Sequence, residues 1–240
     1  MQRGRLFPFL ALAIIGAATS AGAQTIYGPG GLFIHPTAFT ARRGATGLNV
    51  SWFTQEPKVG PKTEWLPVAL THAFTSQDEA GALYVDRRSP SGHTSSGGAF
   101  YKHQFLPDTD SRPAFALSAS YIGGNIQLSS VSGIASHRLA PSGKNGITLH
   151  LGAQWVRRAD IPVTQDDLSA FVGAELPLSH GLRLVGDVGT RLKFDRSATS
   201  GAGLVWSSPR GLNLGVGYVN AGRGDNNRFF IGIGYPIGAN

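Results

Sequence analysis

A closed antiparallel β-barrel of about twelve strands (roughly 10–14), spanning a bacterial outer membrane, is the fold this sequence predicts. Three observations carry it. Short segments alternating apolar with polar or small residues recur between clusters of Gly, Pro, Asn, Asp and Ser, which is the period of a strand and not of a helix. Residues 1–23 have the layout of an export signal. Beyond them no apolar stretch is long enough for a membrane helix, so an exported chain that crosses a bilayer can do so only as a closed barrel.

Composition points the same way. Of 240 residues, 33 are Gly and 15% are charged; soluble domains average about 7% Gly and about 25% charged residues, and helical bundles fit such values poorly. Apolar residues reach 41%, too many for wholesale disorder. The sequence has no Cys, which excludes disulfides and thiolate metal sites.

In chain order, Arg3 and Arg5 give a positive n-region, Leu6 to Ala18 an apolar run, and Ala21-Gly22-Ala23 a small-x-small cleavage site. Arg3 and Arg5 account for two of the formal net charge of +7. A basic chain would suggest nucleic acid, but export removes that partner. Residues 24–45 are dense in Gly and Pro yet carry Ile26, Tyr27, Leu32, Phe33 and Ile34, which a free tail would not expose. They are expected to form a plug-like segment in or against the periplasmic mouth. Residues 46–240 form the barrel, with strands centred near Val50, Leu70, Leu83, Tyr101, Leu117, Gly133, Leu149, Val172, Val185, Gly203, Leu214 and Ile233. An even count suits a closed antiparallel barrel.

The clearest alternation sets Ile147, Leu149, Leu151, Ala153 and Trp155 on one face and Thr148, His150, Gly152 and Gln154 on the other. Leu182, Leu184, Gly186, Val188 and Leu192 oppose Arg183, Val185, Asp187, Gly189 and Arg191 in the same way. A membrane barrel turns the apolar face to lipid and keeps polar or small residues inside. With the strand at Val50 running outward, Trp52, Tyr121, Trp155, Tyr218 and Phe229 fall at outer strand ends, and Phe74, Phe105, Trp206 and Tyr235 at inner ones. Two such belts are what interfacial anchoring predicts.

The expected lumen lining is Gly, Ala and Ser with Lys102, Gln104, Arg138, His150, Gln154, Glu175, Arg183, Asp187 and Arg191. An unpaired buried charge costs several kcal/mol, so either water fills the interior or Glu175 and Asp187 pair with the arginines. A turn at Ser179-His180-Gly181 would set Gly173 opposite Asp187 and Ser169 opposite Arg191. The longest connections, near residues 54–64, 157–167 and 220–227, would lie outside the cell. Their Arg157, Arg158, Arg223 and Arg228 could meet lipopolysaccharide phosphates, and Asp166, Asp167 and Asp225 divalent cations.

The stretch Gly31-Leu32-Phe33-Ile34-His35-Pro36-Thr37-Ala38, followed by Gly44 and a first strand, resembles the leading segment of YjbH-type outer-membrane barrels, which are associated with exopolysaccharide export. In that family a Gly-Leu-Ile-x-x-Pro-Thr-Ala-like stretch precedes the barrel; here Gly31, Leu32, Pro36, Thr37 and Ala38 carry the match. The resemblance is confined to this segment and implies a minimal, single-barrel relative with a polysaccharide link. As a structural reading, the same residues are a Pro-Thr turn leading into a strand.

Signals for chemistry are weak. His93-Thr94-Ser95 has the His-x-Ser spacing of a barrel hydrolase, since a Ser nucleophile needs a base in reach. It lies in a turn-like Ser/Gly tract without a nearby carboxylate in sequence. The seven His show neither His-x-His nor His-Glu-x-x-His spacing, so no metal site is expected. Residues 211–217 (GLNLGVG) alternate as a strand and are no phosphate loop. No cofactor and no enzymatic activity are expected. Three function classes follow: a passive channel or envelope component linked to exopolysaccharide export, a non-conducting structural or interaction barrel, and, least supported, a lipid-modifying enzyme. Partners would be outer-membrane lipid, lipopolysaccharide and the barrel-assembly machinery, with small anionic solutes or polysaccharide in the lumen.

Overall fold

The computed structural model describes residues 31–55, 62–125, 127–139, 146–159, 164–193, 197–221 and 228–237. The expected export signal, residues 24–30, Arg223 and Asp225 lie outside the described residues.

The strands are β1 (Thr46–Gln55), β2 (Thr63–Ala73), β3 (Asp78–Ser89), β4 (Gly92–Leu106), β5 (Ala114–Gly124), β6 (Leu128–Arg138), β7 (Thr148–Arg158), β8 (Gln165–Ser179), β9 (Leu182–Gly189), β10 (Thr199–Ser207), β11 (Asn213–Ala221) and β12 (Arg228–Ile237). Each pairs antiparallel with its neighbours in sequence, and β1 pairs with β12 to close a twelve-stranded barrel. All twelve predicted centres fall in these strands, one per strand. Closure leaves the wall without an open edge.

Local turn chemistry sets the register. His180 and Gly181 hold positive φ values of 47° and 82°, as in tight hairpin turns whose twist matches the strands they join. A Cβ on Gly181 would lie 2.2 Å from the Ser207 carbonyl oxygen, so only glycine fits. Gly173 consequently faces Asp187, as the spacing predicts.

The prediction for the other end of this hairpin needs correction. Pairing of β8 with β9 stops at Phe171 and Gly189, so Ser169 has no strand partner in Arg191. The Thr190 hydroxyl accepts the Ala170 N–H (3.1 Å), a side-chain substitute for the next ladder bond. Alternation ends there: Arg191 is exposed in the connection instead of lining the lumen, and Leu192 is buried instead of facing outward.

The outer surface carries an apolar band around the wall, including Leu70, Tyr84, Leu117, Leu151, Val172 and Ile233, each more than 40% exposed. We call the end where β1 begins and β12 ends the near mouth, and the opposite end the far mouth. Trp52, Tyr121, Trp155, Tyr218 and Phe229 lie on the outer surface toward the far mouth; Phe74, Phe105, Trp206 and Tyr235 lie toward the near mouth.

The interior departs from the expected polar, small-residue lining. Inward-facing Phe53, Trp65, Leu83, Val85, Ile122, Val185, Val205, Val219 and Phe230 form one apolar cluster with Leu32, Phe33 and Ile34 of the N-terminal segment. A second cluster joins Ala38 of that segment to Ala114, Ala116, Ile134 and Phe171. The wall supplies isolated large apolar residues between Gly and Ser, and the segment supplies the atoms that bury them.

Candidate functional site

The segment ahead of β1 lies inside the barrel, packed against the inner face of the wall. Its tip is a tight loop in which Gly31 bridges to Pro36 and the Leu32 N–H donates to the His35 carbonyl at 3.0 Å. Four inward-facing glycines make room for it. An added Cβ would lie 2.1 Å from Leu32 at Gly173, 2.8 Å from Phe33 at Gly201, 2.9 Å from Phe33 at Gly203 and 2.7 Å from His35 at Gly189. Much of the glycine on the inner face of β8 to β10 is therefore packing space for the segment.

Asp187 anchors the tip. One carboxylate oxygen accepts the Ile34 N–H (3.1 Å), the His35 N–H (3.0 Å) and His35 Nδ1 (2.7 Å). Its side chain is fully buried and that of His35 nearly so, which makes this a desolvated, charge-assisted anchor. The His35 ring also stacks on Phe171, with centroids 4.5 Å apart. Asp187 was expected to pair with an arginine. It pairs with a histidine 152 residues earlier in the chain, a partner that strand register alone cannot indicate.

Lys102 grips the stem. Its ammonium is completely buried, lies 2.9 Å from the Glu79 carboxylate, and donates to the Thr37 and Phe39 carbonyls at 3.3 and 2.5 Å. Glu79 in turn accepts the Ala41 N–H at 3.1 Å. Ser136 Oγ accepts the Ala38 N–H at 2.8 Å, while the Thr40 hydroxyl reaches the Ser76 carbonyl and, at 3.3 Å, Gln104. Phe39 meets the His150 ring edge-on and lies under the Arg138 guanidinium, 4.5 Å away. Arg138 is exposed at the near mouth.

A polar chain runs around the wall below the segment, one residue per strand from β6 to β11. Ser136 Oγ lies 2.8 Å from His150 Nδ1, and His150 Nε2 lies 3.4 Å from Glu175. Glu175 accepts from Arg183 at 2.6 Å; Arg183 donates to Ser207 at 3.3 Å, and Ser207 to Asn213 at 2.5 Å. Glu175 thus takes an arginine, as expected, on a diagonal of the β8–β9 hairpin. Gln154 faces inward, half-buried, in register between Ser132 and Ser169.

Of the predicted lining residues, Lys102, Gln104, Arg138, His150, Glu175, Arg183 and Asp187 contact the segment or this polar chain, and Arg191 does neither. Gly31, Leu32, Pro36, Thr37 and Ala38 lie in the lumen. Sequence reasoning missed Glu79, Ser136 and His35. Glu79 and Ser136 each occupy an inward-parity position, a usable signal; His35 had none beyond its place in the segment.

The tract around His93 also needs correction. The turn is confined to Pro90 and Ser91, His93 to Ser95 belong to strand β4, and a carboxylate is at hand: His93 Nε2 and Arg88 both contact the nearly buried Asp86 of β3. The imidazole is engaged with Asp86; among the described residues no hydrogen bond joins it to Ser95. Among the described residues no group of three or more His, Asp or Glu is placed to hold a metal.

Two solved structures resemble this barrel. The translocator domain of autotransporter NalP from Neisseria meningitidis is 14% identical over 80% of this chain and 88% of its own, with a TM-score of 0.51. The KdgM porin is 11% identical over 79% of this chain and 98% of its own, with a TM-score of 0.52. The likeness is one of fold. No family model and no curated protein matches the chain, so the similarity of residues 31–38 to YjbH-type barrels rests on that motif alone.

Proposed function

We propose that this chain is an exported outer-membrane barrel of channel type whose lumen is held shut by residues 31–39. The apolar outer band supports the membrane setting: each half-exposed Leu or Ile forgoes on the order of 1 kcal/mol that an apolar surrounding would return, and aromatics toward both mouths suit two interfaces. In that setting the near mouth is periplasmic and the barrel-assembly machinery inserts the wall. The observation that carries the closed state is the segment's double engagement. Its tip completes the larger apolar cluster, while Asp187 and Lys102 hold its backbone.

Pairing also decides selectivity. Lumen arginines left free would concentrate anions, but Arg183 is neutralised by Glu175 and Lys102 by Glu79. An opened lumen therefore gains no anion preference from these two cations. No catalytic step enters this reading.

Single-channel recording in planar bilayers tests it. The natural chain should be silent. Phe33→Asp, which places a carboxylate in the apolar cluster at a cost of several kcal/mol, should release the segment and give open events. A Phe33→Asp protein that shows heat-modifiable gel migration yet stays silent would sink the proposal, because the wall's own side chains would then be the seal.

A further inference from the structure

We propose that the lumen is a binding site for a polypeptide that folds a tight loop followed by a stem, read in large part through its main chain, and that residues 31–41 are its resident occupant. The inference rests on the reading above only in requiring that this segment can leave.

Besides packing against the segment's side chains, the wall reads its backbone. Along the segment it accepts the N–H groups of Ile34 and His35 at Asp187, donates to the Thr37 carbonyl from Lys102, and accepts the Ala38 N–H at Ser136. It then donates to the Phe39 carbonyl, again from Lys102, and accepts the Ala41 N–H at Glu79. A polypeptide able to fold the same loop presents this ordered series of donors and acceptors. A saccharide presents hydroxyls that each donate and accept, with no fixed order. The recognising groups come from four strands of a wall that closes through β1 and β12 without using the segment. The segment is therefore a ligand joined to its receptor by residues 42–45, not a strand of it.

Tethering explains why such a site would be masked. A short link gives the resident segment an effective concentration on the order of millimolar, which free peptide must overcome. A partner peptide would gain access once the resident tip is weakened or withdrawn.

The test uses the full-length Phe33→Asp protein in detergent and a fluorescent peptide of residues 31–41, followed by anisotropy. Phe33 belongs to the occupant, so the wall's groups stay intact. The peptide should bind this protein at least tenfold more tightly than the natural chain. Methylating its amide nitrogens at positions 34, 35, 38 and 41 should weaken binding by roughly 100-fold, since four donors are lost, three of them to carboxylates. Adding Asp187→Asn to the protein should weaken it by roughly tenfold. A hexasaccharide of uronic acids should not displace the peptide.

Absence of binding, equal binding of the methylated peptide, or displacement by the hexasaccharide would each overturn the proposal. If Phe33→Asp fails to assemble, Phe33→Ser provides the same comparison with a milder release. The two proposals fail separately. Binding without current refutes the gate and keeps the peptide site, whereas current without binding does the reverse.

Discussion

The lumen has two unlike halves. Toward the near mouth the wall presents Glu79, Lys102, Gln104, Ser136, His150, Glu175 and Arg183, and hydrogen bonds and ion pairs are added there to the smaller apolar cluster around Ala38. Toward the far mouth it presents Phe53, Trp65, Val85, Ile122, Val156, Val219 and Phe230, and its contacts are packing. The N-terminal segment is built to match, with a polar-held stem and an apolar tip. The difference teaches how one short segment can be both specific and removable: directional bonds fix its position, while non-directional burial supplies much of the driving force.

Breaking the polar half should have the largest effect. Lys102→Met leaves the buried Glu79 carboxylate without its ammonium and should destabilise the barrel by about 3–5 kcal/mol, read as a lower temperature for the heat-modifiable gel shift. The double variant Lys102→Met/Glu79→Gln should recover most of that loss while still freeing the stem. A double variant as unstable as the single one would show that the charge pair is not the source.

Asp187→Asn comes next. It keeps the shape but removes the charge that holds two backbone N–H groups and His35, and should loosen the tip by about 2 kcal/mol. Hydrogen exchange at residues 31–39 should then quicken by roughly 30-fold, with exchange in the strands unchanged. An unchanged rate at Ile34 and His35 would remove Asp187 from its anchoring role.

Within the apolar half the effects are smaller. Gly201→Val adds atoms where Phe33 and Asp187 already crowd, and should cost about 1–3 kcal/mol, seen as brief open events in bilayers. Trp65→Phe should cost only about 1 kcal/mol, because the buried indole N–H has no hydrogen-bond partner to lose. A large effect there would mean that the stacking of Trp65 between Phe53 and Arg87 matters more than its area suggests.

How far these features could be read beforehand depended on their range. Strand number, order and the Gly173–Asp187 register follow from period-2 alternation and a two-residue turn, which are local rules. Arg191 defeated the same rules because a single hydroxyl, that of Thr190, replaced a ladder bond and ended the strand. The tract at His93 was misjudged because Ser and Gly suggest a turn, while pairing with β3 imposed a strand. Lumen chemistry was legible only as candidates: parity places Lys102, His150 and Glu175 inside but says nothing about what each one meets.

The amino-acid sequence by itself determined the twelve antiparallel strands and their order, since alternation and turn chemistry act between near neighbours; the same alternation would serve a soluble sandwich, and the pairing of β1 with β12 decides for the closed barrel. Tertiary structure decided that the interior is filled. Phe53, Val85 and Phe230 read singly as inward apolar residues, and only the arrival of Leu32, Phe33 and Ile34 turns them into a core. It also decided that a histidine, not an arginine, completes Asp187. Both depend on contacts between residues about 20 to 200 positions apart in sequence, whose geometry is set by closure of the barrel and not by any local preference of the chain.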